Sequence, residues 1–408
     1  MRRFYAGRDL SRVHSIEELA SLAQRRLPHF AWEYLAGGAE QEWTLARNRM
    51  AFGELGLRSR TLVPCAAPLT RRRLLGQTLA QPMLIGPTGF NGMLFRDADL
   101  HLARAATARG LPLCLSTVSN ASLERIVAQV PGVNLWFQLY AMRDPAVQED
   151  LLRRAEQAGV KTLLLTSDAM VLGSREWDRR NFVRPRQLSW RNKLDELRHG
   201  RWLRQVMWPA GLPSMGNLDR YLPVEQRTAL GSMKFIGEQM DTLLDWTALA
   251  RLRERWSGQL LLKGVLHPAD ASRAVSLGLD GLVISNHGGR QLDGAPASLE
   301  ALAEIAPVVR GKLALLLDSG IRRGSDIVKA LALGADAVLL GRATLYGVAV
   351  AGEPGVGRAL DLLAQELGRC LNLMGCPDVD QLCADWLARY PRDGHHGQLP
   401  HLLPGVPA

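Results

Sequence analysis

"LALLLDSGIRRGSDIVKALALGADAVLLGRA", residues 313–343, contains the same event twice. An apolar run stops at Asp318, Gly320 and Arg322, a helix start follows, and a second run stops at Gly341 and Arg342. A short run that is apolar on both faces is a strand covered on both sides, and a helix leading to another such run makes the two strands parallel. Working outward, the pattern recurs along the chain. The runs are PMLIGP (82–87), LPLCLST (111–117), NLWFQLY (134–140), TLLLTSD (162–168), QLLLKG (259–264), GLVISN (281–286), LALLLDSG (313–320) and DAVLLGR (336–342). Between runs lie amphipathic stretches such as DADLHLARAATARG (97–110) and DPAVQEDLLRRAEQAG (144–159), each closed by glycine. Eight strands alternating with helices predict an α/β fold of the (β/α)8 TIM barrel class.

Each run ends in polar residues: Thr88, Ser116, Gln138 with Tyr140, Thr166 with Asp168, Lys263, His287 with Arg290, Asp318 with Arg322, and Gly341 with Arg342. A barrel brings all carboxyl-terminal strand ends to one face, so these transitions describe one pocket. Lys263 weighs most, because a cation placed directly after three leucines is costly to bury without a partner. Gly320, Arg322, Gly341 and Arg342 follow the last two strands, where barrels commonly hold phosphate: glycine opens the backbone N–H groups and arginine supplies a fork. His287, with two glycines and Arg290 after it, has little packing purpose, whereas Met83, Met93 and Cys114 read as core filler.

Composition sets the outer limits. A chain of 408 residues with 47% hydrophobic and 22% charged residues suits one large α/β domain or two smaller ones, and the eight-strand pattern favours a single domain spanning 1–408. The start, MRRFYAGRDLSRVHS, has no apolar stretch behind its basic residues, and no window reaches membrane-spanning length, so a cytoplasmic protein is expected. Five cysteines, among them Cys65 and Cys114, match neither a disulfide framework nor a zinc spacing. No metal is expected either from His395 and His396, which stand in a Gly- and Pro-rich tail. The formal charge of +10 points to an anionic partner, but without a DNA-reading or aromatic RNA-binding motif nucleic acid is not expected.

The stretch SNHGGRQLD (285–293), taken with GPTGFNGM, LCLSTVSN, WFQLY, LLLTSD, LLKG and DSGIRRGSDIVKALALGADAVLLGRATLY in that order, resembles the FMN-dependent 2-hydroxy-acid oxidase and dehydrogenase family. The resemblance runs from RLPHFAWEYLAGGAE to LNLMGCPDV. It implies an FMN cofactor, a small 2-hydroxy-acid substrate oxidised to the 2-oxo acid, and a homo-oligomer, by family a tetramer. Residue by residue it makes His287 the catalytic base, Asp168 the carboxylate that stabilises its protonated form, and Tyr140 a hydrogen-bond partner of the substrate hydroxyl. Arg290, Arg175 and Tyr34 would hold the substrate carboxylate, and Lys263 the pyrimidine edge of the flavin. Thr88, Gly89, Ser116, Gln138, Thr166 and Ser285 would contact the ring or ribityl chain, Asp318 the ribityl hydroxyls, and Gly320, Arg322, Gly341 and Arg342 the phosphate. An imidazole beside a carboxylate suits proton transfer at neutral pH. Rival readings are an FMN-barrel isomerase and a non-enzymatic flavin- or anion-binding barrel.

Three departures from the family pattern stand out: Trp32 where many members have Tyr, Asn181-Phe182-Val183 for Asn-Arg-Phe, and Gly89 where many oxidases have Ala, a missing methyl expected beside the flavin. Two segments interrupt the barrel: residues 1–75, read as a helical cap, and an insertion at 172–245 between strands four and five. Within the latter, 184–212 is strongly basic and carries Trp190, Trp202 and Trp208, which reads either as an interfacial membrane segment or as a solvated lid. Through RLPHFAWEYLAGGAE, IGPTGFNG and this basic insertion, the chain is most similar to the membrane-associated, mandelate-oxidising branch of the family. That implies a quinone acceptor and attachment to the inner face of the cell membrane, against a soluble oxidase using oxygen or a lactate dehydrogenase.

Overall fold

Each of the eight apolar runs forms a parallel strand: β1 Met83–Ile85, β2 Leu113–Ser116, β3 Leu135–Tyr140, β4 Thr162–Thr166, β5 Gln259–Val265, β6 Gly281–Ile284, β7 Ala314–Leu317 and β8 Ala337–Leu340. They close into a barrel in chain order, with β8 beside β1. The computed structural model describes residues 4–184, 187–208 and 210–389. His395 and His396 lie outside these, as do parts of 1–75 and 184–212.

The period of two along a strand divides each run between two cores. Leu84, Cys114, Trp136, Leu164, Leu261, Val283, Leu316 and Leu339, one from each strand, fill the interior. Their sequence neighbours, such as Ile85, Leu115, Phe137 and Leu165, pack outward against the helices. Two positions beyond each interior residue stand Gly86, Ser116, Gln138, Thr166, Lys263, Ser285, Asp318 and Gly341. By the same alternation these form the next layer up, toward the carboxyl-terminal mouth.

The opposite end is plugged. An antiparallel hairpin, Arg72–Leu74 with Gln77–Leu79, inserts Leu74 and Leu79 beneath the interior core. Asn134 donates to Gln77 Oε1 at 2.6 Å and Gln259 to the Leu75 carbonyl at 2.6 Å, which ties the hairpin to the starts of β3 and β5. The expected helical cap is therefore helical only to Gly53, as Ile16–Arg26, His29–Ala36 and Trp43–Gly53. Beyond it, Leu55–Leu57 pairs with Leu387–Arg389. Residues 54–79 hold short alternating stretches that pack as strand pairs, too short to register as a period.

The insertion is built rather than loose. It contains the helices Trp190–Arg198 and Ala229–Gln239 and a π-helical turn at Leu203–Met207. Trp202, expected at a surface, is fully buried: its indole N–H donates to the Met93 carbonyl at 2.9 Å and its ring meets Phe30 edge-on at 5.6 Å. It anchors the insertion to the body instead of facing outward. Arg96 secures the next turn through the carbonyls of Gln205, Val206 and Trp208. Trp190 and Trp208 do lie exposed, at 65% and 73%. On the helix Trp190–Arg198, Trp190, Leu194 and Leu197 share one face and are all exposed, while Asn192 is buried on the other side. No helix among the described residues is long and apolar enough to cross a membrane.

Candidate active site

A cavity of about 280 Å³ opens at the carboxyl-terminal mouth, directly above the layer of Ser116, Gln138, Thr166, Lys263 and Asp318. All the residues expected in the site line it except Asp168 and Ser285, which stand behind His287 and Lys263. Lys263 is buried, donates to Ser285 Oγ at 2.8 Å, and lies 3.2 Å from Asp318 Oδ2 and 3.9 Å from Asp168 Oδ2. Burial opposes its charge, but Asp318 and Asp168 outweigh that and hold its pKa above the ordinary lysine value. A cation is thus fixed in the cavity floor.

His287 projects from a turn that ordinary side chains avoid. His287, Gly288 and Gly289 have φ of +57°, +69° and +72°, three left-handed residues in succession. Histidine tolerates that region at a cost, and glycine removes it for the next two. At Gly289 there is also no room, since a Cβ would come within 2.6 Å of the Leu45 amide. The turn aims His287 Nδ1 at Asp168 Oδ1, 2.8 Å away. Burial raises the Asp168 pKa, yet Lys263 and His287 together lower it below the ordinary value. The carboxylate is therefore ionised and can only accept, so Nδ1 carries the proton and Nε2 is left as the free basic nitrogen. Gln291 steadies the arrangement by donating to the Asp168 carbonyl at 2.9 Å.

Tyr34, Arg175 and Arg290 meet on the other side. Both guanidinium groups lie over the Tyr34 ring, at 5.4 and 5.1 Å, and the Tyr34 hydroxyl donates to the Gly89 carbonyl at 3.1 Å. Arg290 spends Nη1 on the carbonyls of Tyr34 and Gly37, at 2.8 and 2.9 Å, which leaves its Nε–Nη2 edge for a bidentate anion. Burial, then the neighbouring Arg175 cation, brings its pKa down to about 10. Burial and the charge of Asp168 push Tyr140 up to about 12, so its phenol stays a donor. Arg342 directs three donors to the carbonyls of Leu35, Gly37 and Gly288, at 3.0, 2.8 and 2.8 Å. In this structure it stitches the end of the helix His29–Ala36 to the His287 turn, with only its remaining N–H groups free for a phosphate.

Whether this cavity fits FMN is tested by what it leaves unsatisfied. Among the described residues, Gln138 Nε2, Thr166 Oγ1 and Asp168 Oδ2 are buried without a hydrogen-bond partner, in a layer whose other groups are paired. Those atoms, a fixed cation, and two glycine–arginine strand ends match a polar ring edge, a ribityl chain and a phosphate. Thr88, at the first strand end, is held by Asn91 Nδ2 at 2.9 Å, itself backed by the buried Asp99 at 2.8 Å. Gly89 lines the cavity, but a Cβ there would run into the Val118 side chain. The missing methyl thus makes room for the neighbouring loop.

Sequence reasoning missed one wall. Met215, Met233, Ile236 and Met240 of the insertion line the cavity. The spacing of 233, 236 and 240 at three and four residues was the available signal, but an apolar face on a helix ordinarily marks core.

Comparison with known proteins places these features in company. The family model for FMN-dependent dehydrogenases matches residues 23–389. The chain is 44% identical over 378 residues to (S)-mandelate dehydrogenase of Pseudomonas putida, covering 92% of this chain and 94% of that protein. To an L-lactate dehydrogenase of Acinetobacter baumannii it is 39% identical over 390 residues, covering 94% and 99%. A crystal structure of (S)-mandelate dehydrogenase, described as a monotopic membrane protein, superposes with a TM-score of 0.88 at 42% identity, covering 93% of this chain and all of that one.

Proposed function

Since this chain belongs to the FMN-dependent dehydrogenase family and takes FMN as its cofactor, we propose that it oxidises an (S)-2-hydroxy acid with a mandelate-like side chain to the 2-oxo acid and passes the electrons to a membrane quinone. The observation that carries the reading is the His287–Asp168 pair at 2.8 Å, opening on the same cavity as the free edge of Arg290. FMN, when bound, supplies the acceptor for the electron pair leaving the substrate. The protein's own groups do the rest. Arg290, with Arg175 beside it, orients the carboxylate, and Tyr140 engages the hydroxyl. His287 Nε2 takes the substrate proton, and the resulting imidazolium is stabilised by the Asp168 carboxylate already hydrogen-bonded to Nδ1. Lys263 would hold negative charge on the ring, with Ser116, Gln138, Thr166 and Ser285 along it, Asp318 at the ribityl chain, and Gly320, Arg322, Gly341 and Arg342 at the phosphate.

The exposed apolar face of Trp190, Leu194 and Leu197, flanked by Arg191 and Arg198, supports attachment of residues 184–212 to an anionic membrane surface from the cytoplasmic side. A homo-oligomer, by family a tetramer, completes the proposal, and sedimentation of the purified protein checks it. The deciding experiment is anaerobic mixing of the holoprotein with a panel of 2-hydroxy acids while the flavin absorbance is followed. Bleaching by an (S)-acid and not its (R) partner is expected; no bleaching by any member rejects the activity. Reoxidation by a quinone faster than by oxygen is expected, and the reverse order rejects the quinone.

A further inference from the structure

We propose that Met215, Met233, Ile236 and Met240 form the wall that selects the substrate's side chain, and that this wall takes bulky uncharged apolar groups, branched alkyl as well as aryl. The inference rests on the 2-hydroxy-acid reading above and adds what determines the side chain. Met233 and Ile236 lie three residues apart on the helix Ala229–Gln239 and Met240 caps it, so one face of the helix turns into the cavity. That face is fixed relative to the reacting centre. Asp241 N–H donates to the Ala141 carbonyl at 2.9 Å, Arg143 N–H to the Gln239 carbonyl at 2.6 Å, and Met142 and Met240 form an antiparallel bridge. The chain thus runs alongside the residues immediately following Tyr140. Met215 joins through its N–H, which donates to Ser232 Oγ on the same helix at 3.1 Å.

The chemistry of the wall complements the rest of the site. The cations and hydrogen-bonding groups of the cavity come from the strand ends, the N-terminal helix and Arg175, while these four positions contribute only carbon and thioether sulfur. Met215, Ile236 and Met240 are buried and Met233 is 41% exposed, so the wall has a closed depth and a rim at the mouth. A second carboxylate or an ammonium on the substrate would be buried there without a partner, which is costly. Three unbranched thioethers around one isoleucine repack about flat rings and branched chains alike, and polarisable sulfur is favourable beside an aromatic edge.

The test measures the reductive half-reaction of the holoprotein anaerobically with (S)-lactate, (S)-2-hydroxyisocaproate, (S)-mandelate and (S)-malate. Wild type should prefer mandelate and hydroxyisocaproate to lactate on the order of 10-fold per added methylene or more, with malate slowest. Ile236→Phe fills the wall and should move the mandelate-to-lactate ratio toward lactate by about 10-fold. Met233→Phe at the half-exposed rim should move the ratio the same way, and it keeps the test standing if the buried substitution does not fold. Malate as fast as mandelate, or variants that alter every acid in parallel, would overturn the wall while leaving the hydroxy-acid activity intact. No bleaching by any acid would overturn both.

Discussion

At the scale of single residues, the site depends on a histidine held where its backbone prefers not to be. Left-handed φ at His287 is sustained by Gly288, Gly289 and the 2.8 Å contact with Asp168. His287→Ala should keep FMN, because the ribityl and phosphate positions lie elsewhere, and should slow flavin reduction by ~10²–10⁴-fold; rapid-mixing absorbance decides it, and near wild-type reduction contradicts the role. Arg290→Lys replaces a fork by a point charge and also drops a pin on the Tyr34 and Gly37 carbonyls. A carboxylate inhibitor such as oxalate should bind at least ~10-fold more weakly, and an unchanged Kd would rule the clamp out. Asp168 gives a pH prediction with a definite sign. Its folded pKa lies below 3.8, so its stabilising contribution is complete above that value and is lost as pH falls through the lowered one. Urea midpoints of wild type should therefore drop more steeply below pH 3.8 than those of Asp168→Asn; parallel curves would mean the pair contributes nothing. These residues were legible in the sequence because each follows closely on the end of a buried strand, where a barrel gathers its polar groups to one face. The spending of Arg342 on backbone carbonyls was not legible, since sequence gives the type of a side chain and not the direction of its donors.

At the scale of elements, the insertion divides its tryptophans between two tasks. Trp202→Ala removes a fully buried ring and a buried hydrogen bond, and should cost ~3–5 kcal/mol in denaturant unfolding. Replacing Trp190 and Leu197 with Ser should leave stability within ~0.5 kcal/mol and abolish most binding to anionic vesicles. That binding should weaken as salt rises, and no vesicle binding by the intact protein would return the helix to an ordinary solvated face. The three tryptophans look alike in sequence because composition reports a basic, aromatic segment without saying which ring turns inward. The strands, by contrast, were legible to within two or three residues at each end: a run apolar on both faces has one common solution, and eight of them close on themselves. The hairpin Arg72–Leu79 was hidden because three-residue strands fall below any periodicity.

At the scale of the whole molecule, the architecture separates what holds the fold from what performs the chemistry. The interior core and its hairpin plug occupy the amino-terminal end of the barrel, and the layer that floors the cavity, with Lys263 and Asp318 in it, lies only two residues further along each strand. Several seams between distant parts of the chain run through the site itself. The carbonyls of Tyr34, Leu35 and Gly37, among the first tenth of the chain, are held by Arg290 and Arg342, among the last third. During synthesis the helix that carries Tyr34 therefore leaves the ribosome long before the arginines that will seat it exist. The barrel can begin to gather strand by strand, but the pocket has no finished shape until β8 has been made. A truncated chain, however well its early strands pair, exposes no working oxidation site, and the newborn protein becomes reactive only once it is nearly whole.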